Sequence, residues 1–158
     1  MEIEKKFAVC TMPELSRYPV HFIEQAYLNT DPTLRIRRED DQFYITYKHG
    51  SGIAREEYNL WIDEKSYRHL LAKADGRIIT KKRYLIPDRR WTIELDVFEG
   101  DFEGLVFAEV EYASVEEAES YTPPAWLGRE LSGDIRYYNS YLSTWDAAKG
   151  KFWEAENE

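Results

Sequence analysis

The chain has 158 residues, 43% hydrophobic and 15% aromatic, which suits one domain with a real core and argues against disorder. A formal net charge of −9 disfavours partners such as nucleic acid or an anionic membrane, and no segment approaches the roughly 20 apolar residues of a membrane span. Cys10 is the single cysteine, so an intrachain disulfide and a thiolate metal cage are excluded, and without a signal-like apolar run at the start the reading is a cytoplasmic protein.

Alternation at period two places eight strands, each with a charged face and an apolar face. In residues 1–8, Glu2, Glu4 and Lys6 share one face and Ile3 and Phe7 the other. Residues 20–28 put Gln25 and Tyr27 together. Residues 33–39 set Arg35 and Arg37 opposite Leu34 and Ile36, and after an Asp40–Asp41 turn residues 42–48 set Thr46 and Lys48 against Phe43, Ile45 and Tyr47. A Gly50-Ser51-Gly52 hairpin loop leads to 53–61, where Arg55, Glu57 and Asn59 align. A helix is expected over 64–74, with Asp63 as N-cap and Gly76 past its end. Residues 77–86 carry Lys81 and Arg83, and a Pro87-Asp88 turn joins them to 91–98, with Glu94 and Asp96 on one face. Residues 105–112 place Glu109 and Glu111 opposite Val106, Ala108 and Val110. Ser114-Val115-Glu116-Glu117 spells a capping box for a helix at 115–121, ended by Pro123-Pro124. A last helix is expected over 137–149. The domain then spans 1–150, and 151–158 reads as an acidic tail.

The charged faces hold seven bases and seven acids: Lys6, Arg35, Arg37, Lys48, Arg55, Lys81 and Arg83 against Glu2, Glu4, Glu57, Glu94, Asp96, Glu109 and Glu111. A flat sheet leaves such a face wet; a closed eight-stranded antiparallel barrel turns it inward, with apolar residues outside under a few covering or capping helices, an α+β fold. Clustered bases then need an anion, and clustered carboxylates need a hard cation. Arginine pairs and lysines suit phosphate; carboxylate pairs suit Mg²⁺ or Mn²⁺. Patterning alone leaves two readings open: a metal–polyphosphate pocket, or acids and bases that only neutralise one another.

Several of these segments, in this order, resemble the CYTH, or triphosphate tunnel metalloenzyme, superfamily. Glu2-Ile3-Glu4-Lys5-Lys6 is similar to its ExExK signature. Gln25-Ala26-Tyr27-Leu28, Arg35-Ile36-Arg37, Thr46-Tyr47-Lys48, Arg55-Glu56-Glu57-Tyr58 and Lys81-Lys82-Arg83-Tyr84 resemble its following strands. Glu94-Leu95-Asp96-Val97-Phe98, Ala108-Glu109-Val110-Glu111 and Asp134-Ile135-Arg136-Tyr137-Tyr138-Asn139 resemble its later segments, so the likeness covers 1 to about 142. It implies a tunnel acting on triphosphates with Mg²⁺ or Mn²⁺. By resemblance, Glu2, Glu4, Asp96, Glu109 and Glu111 hold metal, and Lys6, Tyr27, Arg35, Arg37, Lys48, Arg55, Lys81 and Arg83 hold substrate. Glu2, Glu4, Lys6 and Glu111 are the expected catalytic set, and Glu57 is a candidate to orient water. Short members often end the fifth strand RxEYE; Asn59 stands at the last position here and removes that charge.

The implied activity is hydrolysis of a small-molecule triphosphate, inorganic tripolyphosphate first. Class IV type adenylyl cyclisation and thiamine triphosphate hydrolysis are alternatives on the same scaffold. A non-catalytic polyphosphate-binding barrel is the alternative of another class. No aromatic set for an adenine ring is visible in the sequence, which favours the bare triphosphate over ATP. His21, His49 and His69 read as surface residues, Cys10 as partly buried and inert, and Trp126, Trp145 and Trp153 as packing residues.

Overall fold

The inward and outward faces read from the alternation meet in a computed structural model, which describes residues 1–156. Its strands are β1 (Glu2–Val9), β2 (Val20–Thr30), β3 (Thr33–Glu39), β4 (Gln42–His49), β5 (Ala54–Ile62), β6 (Asp75–Asp88), β7 (Trp91–Phe98), β8 (Val106–Glu111) and β9 (Leu127–Glu130). Its helices are α1 (Glu64–Leu71), α2 (Val115–Ser120), α3 (Asn139–Leu142) and α4 (Phe152–Glu156). Every strand pairing is antiparallel, in the order β5-β4-β3-β2-β6-β7-β8-β1, and β1 closes the ring by pairing Glu2 with Arg55 and Ile3 with Ala54 of β5. This is the expected eight-stranded barrel. The additional β9 pairs Phe7 with Glu130 and Val9 with Leu127 on the far half of β1. Four residues, Leu-Gly-Arg-Glu, are too few to show an alternation, so β9 is not legible in sequence.

Apolar side chains are buried in three patches, two on the outer face and one on the inner face at a barrel end. Tyr67 of α1 is fully buried over Ala26 and Ile36, and its hydroxyl donates to the Glu24 carboxylate at 2.6 Å. Tyr112, Tyr121 and Ala118 cover Phe7, Leu95, Ala108 and Val110 on β1, β7 and β8. The third patch closes one barrel end: Leu131, Tyr137, Leu142, Trp145 and Trp153 pack against Ile79, Phe98 and Phe107.

Several local expectations are corrected. The helix after Asp63 begins where expected, with the Asp63 carboxylate accepting from Ser66 N at 2.7 Å, but it ends at Leu71. Gly76 is not its stop; it lies inside β6 at φ +70°, where a Cβ would stand 2.2 Å from the Ser143 carbonyl oxygen. Pro87 and Asp88 belong to β6, and the hairpin turns at Arg89–Arg90 instead, with Arg89 at φ +54°. Residues 137–149 are not one helix. Ser143 and Thr144 hydroxyls donate to the carbonyls of Ser140 and Tyr141, and Asp134 and Asp146 each cap a separate turn, so local side chains break the ladder. The acidic end is helical over 152–156, and Trp153, 2% exposed, donates its indole N–H to the Glu103 carbonyl at 3.1 Å. Residues 157–158 of that expected tail lie outside the described residues. Cys10 is exposed rather than partly buried. No helix among the described residues is long and apolar enough to cross a membrane.

Gly76 docks β6 onto the closing segment, and Arg77 N donates to Ser143 O at 2.7 Å beside it. Gly76→Ala therefore adds left-handed strain of about 1–3 kcal/mol and a clash with rigid backbone. The expected result is a clear loss of Tm in thermal melting. Gly133→Ala, at φ +89° with open space around it, is expected to lose less.

Candidate active site

The inward face of every barrel strand opens on one cavity of about 330 Å³. Glu2, Glu4, Lys6, Tyr27, Arg35, Arg37, Lys48, Arg55, Glu57, Lys81, Arg83, Glu109 and Glu111 all line it. The alternation forces this: β1 presents positions 2, 4 and 6 to one side, β3 positions 35 and 37, β5 positions 55, 57 and 59. Ser132, Gly133, Tyr138, Asn139 and Ser140 of the closing segment line it as well. The barrel is thus a well with its floor at that segment. Lys6 Nζ donates to the Tyr137 carbonyl at 2.6 Å, and Gln25 and Lys81 both donate to Asn139 Oδ1, at 2.9 and 3.2 Å.

Asp96 is the exception among the expected residues. It does not line the cavity. It is fully buried behind the wall, and its two oxygens are taken by Arg83 at 2.8 and 3.0 Å and by Lys81 at 2.7 Å. In this arrangement Asp96 holds Arg83 and Lys81 in place and does not face the cavity. Burial opposes its charge, but Arg83 and Lys81 outweigh burial and keep its pKa low. Arg83 also meets Glu94 at 3.0 Å and stands 3.7 Å from Glu109.

Seven acids and seven bases line the cavity, with Glu39 present in place of Asp96, so what matters is where each sign stands. On the β1–β8–β7 side acids crowd together: Glu4 pairs with Glu111 across the strands, and Glu109 with Glu94. Burial, a hydrogen bond with Glu57 and the Glu4 charge push the Glu2 carboxyl up to about 8, against Lys48 at 2.7 Å. Burial and the Glu109 charge push Glu4 up to about 7. Burial and the charges of Glu94 and Glu57 raise Glu111. Burial acts the same way on Glu109, but Lys6, Arg83 and Lys81 outweigh it and hold it well below the usual carboxylate range. Glu57 is likewise brought down to about 2: burial is overcome by its hydrogen bond with Glu2 and by Lys48, 3.4 Å away.

On the β3–β4–β5 side Arg35, Arg37, Lys48 and Arg55 outnumber Glu39 and Glu57. Arg37 donates to Gln25 Oε1 at 2.8 Å and to the Tyr44 hydroxyl at 3.2 Å, and its guanidinium lies 3.8 Å from the Glu39 carboxylate. Arg35 donates to Thr46 Oγ1 at 3.0 Å, and burial and the neighbouring Arg37 lower its pKa. The buried Nε–H groups of Arg35 and Arg55 have no hydrogen-bond partner. Thr46 donates to Asn59 Oδ1 at 2.6 Å and Asn59 donates to Glu57 at 3.1 Å, so Asn59, as an uncharged residue, fastens β4 and β5. The well is therefore polarised: carboxylates short of cation face guanidiniums short of anion.

As they stand, no three His, Cys, Asp or Glu side chains among the described residues converge on one point to hold a metal ion; Lys48 and Arg83 are drawn in between the carboxylates. The donor set nonetheless fits a hard divalent ion. Glu2, Glu4 and Glu111 are oxygen donors on one wall whose pKa values are raised, chiefly by burial and then by neighbouring carboxylates, a set that a hard cation would stabilise in its ionised form. No histidine lines the cavity. Sequence reasoning passed over Glu39, Tyr44 and Trp61, although alternation carries them to the inner face. Tyr138 and Asn139 were legible only through the family likeness, because the floor comes from a segment with no period.

A family model described as the CYTH domain matches residues 1–139. An inorganic triphosphatase from Nitrosomonas europaea is 38% identical over 148 residues, 90% of this chain and 96% of that protein. One from Acetivibrio thermocellus is 37% identical over 145 residues, 89% of this chain and 92% of that protein. A solved inorganic triphosphatase structure superposes with a TM-score of 0.69 at 33% identity, covering 92% of this chain and 96% of the other.

An acid whose pKa rises on folding keeps a proton that the unfolded chain has lost, so the stability it contributes is full at low pH and is lost as pH climbs through the raised value. For Glu4 this window runs from 4.5 to about 7, and for Glu2 from 4.5 to about 8. The depressed acids act below 4.5, and Lys81, brought down to about 7 chiefly by burial, opposes the trend only above that value. Metal-free protein is expected to melt lower at pH 7 than at pH 5, and Glu4→Gln to flatten that fall. A wild-type Tm that holds steady over this range would contradict the assignment.

Proposed function

We propose that this chain, which belongs to the CYTH domain family, is a divalent-metal-dependent triphosphatase that cleaves the terminal phosphoanhydride bond of inorganic tripolyphosphate. The observation that carries the reading is the polarised well: raised carboxylates on one wall, buried guanidinium N–H groups without partners on the other. A pure phosphate binder has no use for the acidic wall, and an apolar carrier has no use for either. The names of the relatives point the same way.

In this reading Glu2, Glu4 and Glu111 hold Mg²⁺ or Mn²⁺, with Glu109 beside them. When bound, the ion supplies Lewis-acid charge neutralisation at phosphate oxygens and lowers the pKa of coordinated water. Arg35, Arg37 and Arg55 take the phosphate oxygens, and Lys6 and Lys81 meet them near the floor. Arg35, Arg37, Lys6 and Lys81 are fixed before substrate arrives, by Thr46, Gln25, Tyr137 and Asp96 respectively, so little reorganisation accompanies charge development on the transferred group. Glu57 stays ionised and lines the cavity, placed to orient the attacking water. Attack in line breaks the P–O–P bridge, and diphosphate leaves from the basic wall. Lys48, held between Glu2 and Glu57, is the cation nearest the acidic wall and would meet a phosphate oxygen on that side. Tyr27, 3% exposed and paired across β2 and β3 with Arg35, lines the cavity on the basic side, where it would stand beside the substrate.

Two experiments test this. Glu4→Gln keeps the volume and removes a metal-binding charge. Phosphate release from tripolyphosphate is expected to fall at least a hundredfold across a Mg²⁺ and Mn²⁺ titration, with circular dichroism unchanged; activity near wild type removes Glu4 from the site. Arg35→Met relieves the Arg35–Arg37 repulsion but deletes a phosphate contact. It is expected to raise KM at least tenfold and to shrink the Tm gain on adding tripolyphosphate, while the ligand-free Tm holds or rises. An equal ligand-induced gain in mutant and wild type shows that Arg35 does not touch substrate.

A further inference from the structure

One chain of hydrogen bonds runs from the basic wall to the floor of the well. Arg37 Nε donates to Gln25 Oε1 at 2.8 Å, and Gln25 Nε2 donates to Asn139 Oδ1 at 2.9 Å. Lys81 Nζ donates to the same Oδ1 at 3.2 Å and to Asp96 at 2.7 Å. Gln25, Arg37 and Lys81 are buried, and Asn139 is half-buried and lines the cavity. Chemistry dictates the direction of every bond, because a guanidinium and an ammonium can only donate. Arg37 therefore fixes which end of the Gln25 amide faces it, and the other end must be the NH2 group. Asn139 then has to meet both Gln25 and Lys81 with its oxygen; turned over, its NH2 would stand against two donors. The Nδ2–H groups of Asn139 are left on the side away from the relay, and no acceptor among the described residues takes them. The residue type fits the place. A base here would add to the repulsion that Arg83 and Arg37 already exert on Lys81, whereas an amide offers donors and no charge.

We propose that Asn139 is a further substrate-binding residue, whose oriented Nδ2–H donates to an oxygen of the phosphoryl group seated deepest in the well. The proposal rests on the triphosphate reading of the well and adds a neutral contact at its floor to the charged contacts on its walls. Its carbonyl oxygen serves the same end, since it sets Gln25, and through Gln25 the Arg37 guanidinium, together with Lys81. A terminal phosphoryl group carries enough unbridged oxygens to serve the amide and a neighbouring lysine at once. The floor is then a reader of acceptor oxygens as well as a stop.

Two substitutions separate contact with substrate from support of the neighbours. Asn139→Asp keeps an oxygen for Gln25 and Lys81 and replaces only the outward NH2, with a second oxygen. Asn139→Ala removes both. A residue that merely held its neighbours would tolerate Asp and suffer most from Ala; the proposed contact reverses that order. Calorimetric titration with tripolyphosphate is run without added metal, so that nothing is turned over. Kd is expected to rise about tenfold in Asn139→Ala, for the lost hydrogen bond to a charged group, and roughly tenfold further or more in Asn139→Asp, where a carboxylate faces the phosphate. KM with Mg²⁺ is expected to follow the same order, while the ligand-free Tm of Asn139→Asp holds or rises. Asn59→Asp places the same added charge on β5, outside the relay, and is expected to cost at most about one tenth as much affinity as Asn139→Asp. Binding by Asn139→Asp that equals or exceeds that of Asn139→Ala overturns the proposal, and so does a cost no larger than that of Asn59→Asp. Should Asn139→Ala not fold, Asn139→Asp against wild type and Asn59→Asp decides alone. Wild type that binds tripolyphosphate while this order fails leaves the well intact and removes only Asn139. Wild type that neither binds nor hydrolyses it places the fault with the triphosphate reading itself.

Discussion

Everything polar in this protein depends on two residue pairs, Glu2 with Arg55 and Ile3 with Ala54, through which β1 closes the sheet onto β5. Open, the sheet would present its charges to water, where acids and bases would be hydrated and weakly coupled. Closed, the same side chains are held at close quarters and out of bulk solvent. The closure also uses the first residues of the chain, and those residues are themselves acids of the well. The barrel seam and the acidic wall are one piece of sequence.

Closure brings the cost of burying charge, and the structure meets it unevenly. Around Asp96 the compensation is complete: two bases share one carboxylate, both oxygens are used, and nothing remains for a ligand. Around Arg35 and Arg55 it is incomplete, with buried donors left over, and around Glu2 and Glu4 it is incomplete in the opposite sense. A barrel needing only neutrality would have spread these pairs evenly. Segregation by wall leaves a field across the cavity, directed from the arginines to the glutamates, and a metal–triphosphate pair is the kind of dipole that fits it.

The architecture was legible in sequence because strand faces carry a strict period. Arg35 and Arg37, or Glu109 and Glu111, declare their shared face two residues apart, and eight such segments imply closure. The parts that were not legible lack a period or defy a local rule. Gly76 looks like a helix stop, but the glycine is required by the Ser143 backbone, more than sixty residues away. Residues 137–149 have the composition of a helix, yet serine, threonine and aspartate side chains capture the backbone groups a helix would use. Asp96 obeys the period and lies on the charged face, paired across the strands with Arg83, but alternation does not encode which neighbours fold over a side chain. Arg83 and Lys81 fold over this one and keep it from the cavity.

The floor built by Ser132–Ser140 turns the barrel from a passage into a pit. A passage admits a polymer along its length and lets cut pieces leave on the far side. A pit admits only an end, and traffic is single file: whatever is released must leave by the opening through which the next molecule arrives. On the proposed function, a linear polyphosphate would be trimmed from a terminus and not cut in the middle of the chain. A spent fragment still seated among Arg35, Arg37 and Arg55 would then block its successor, so that emptying the pit would stand on an equal footing with filling it.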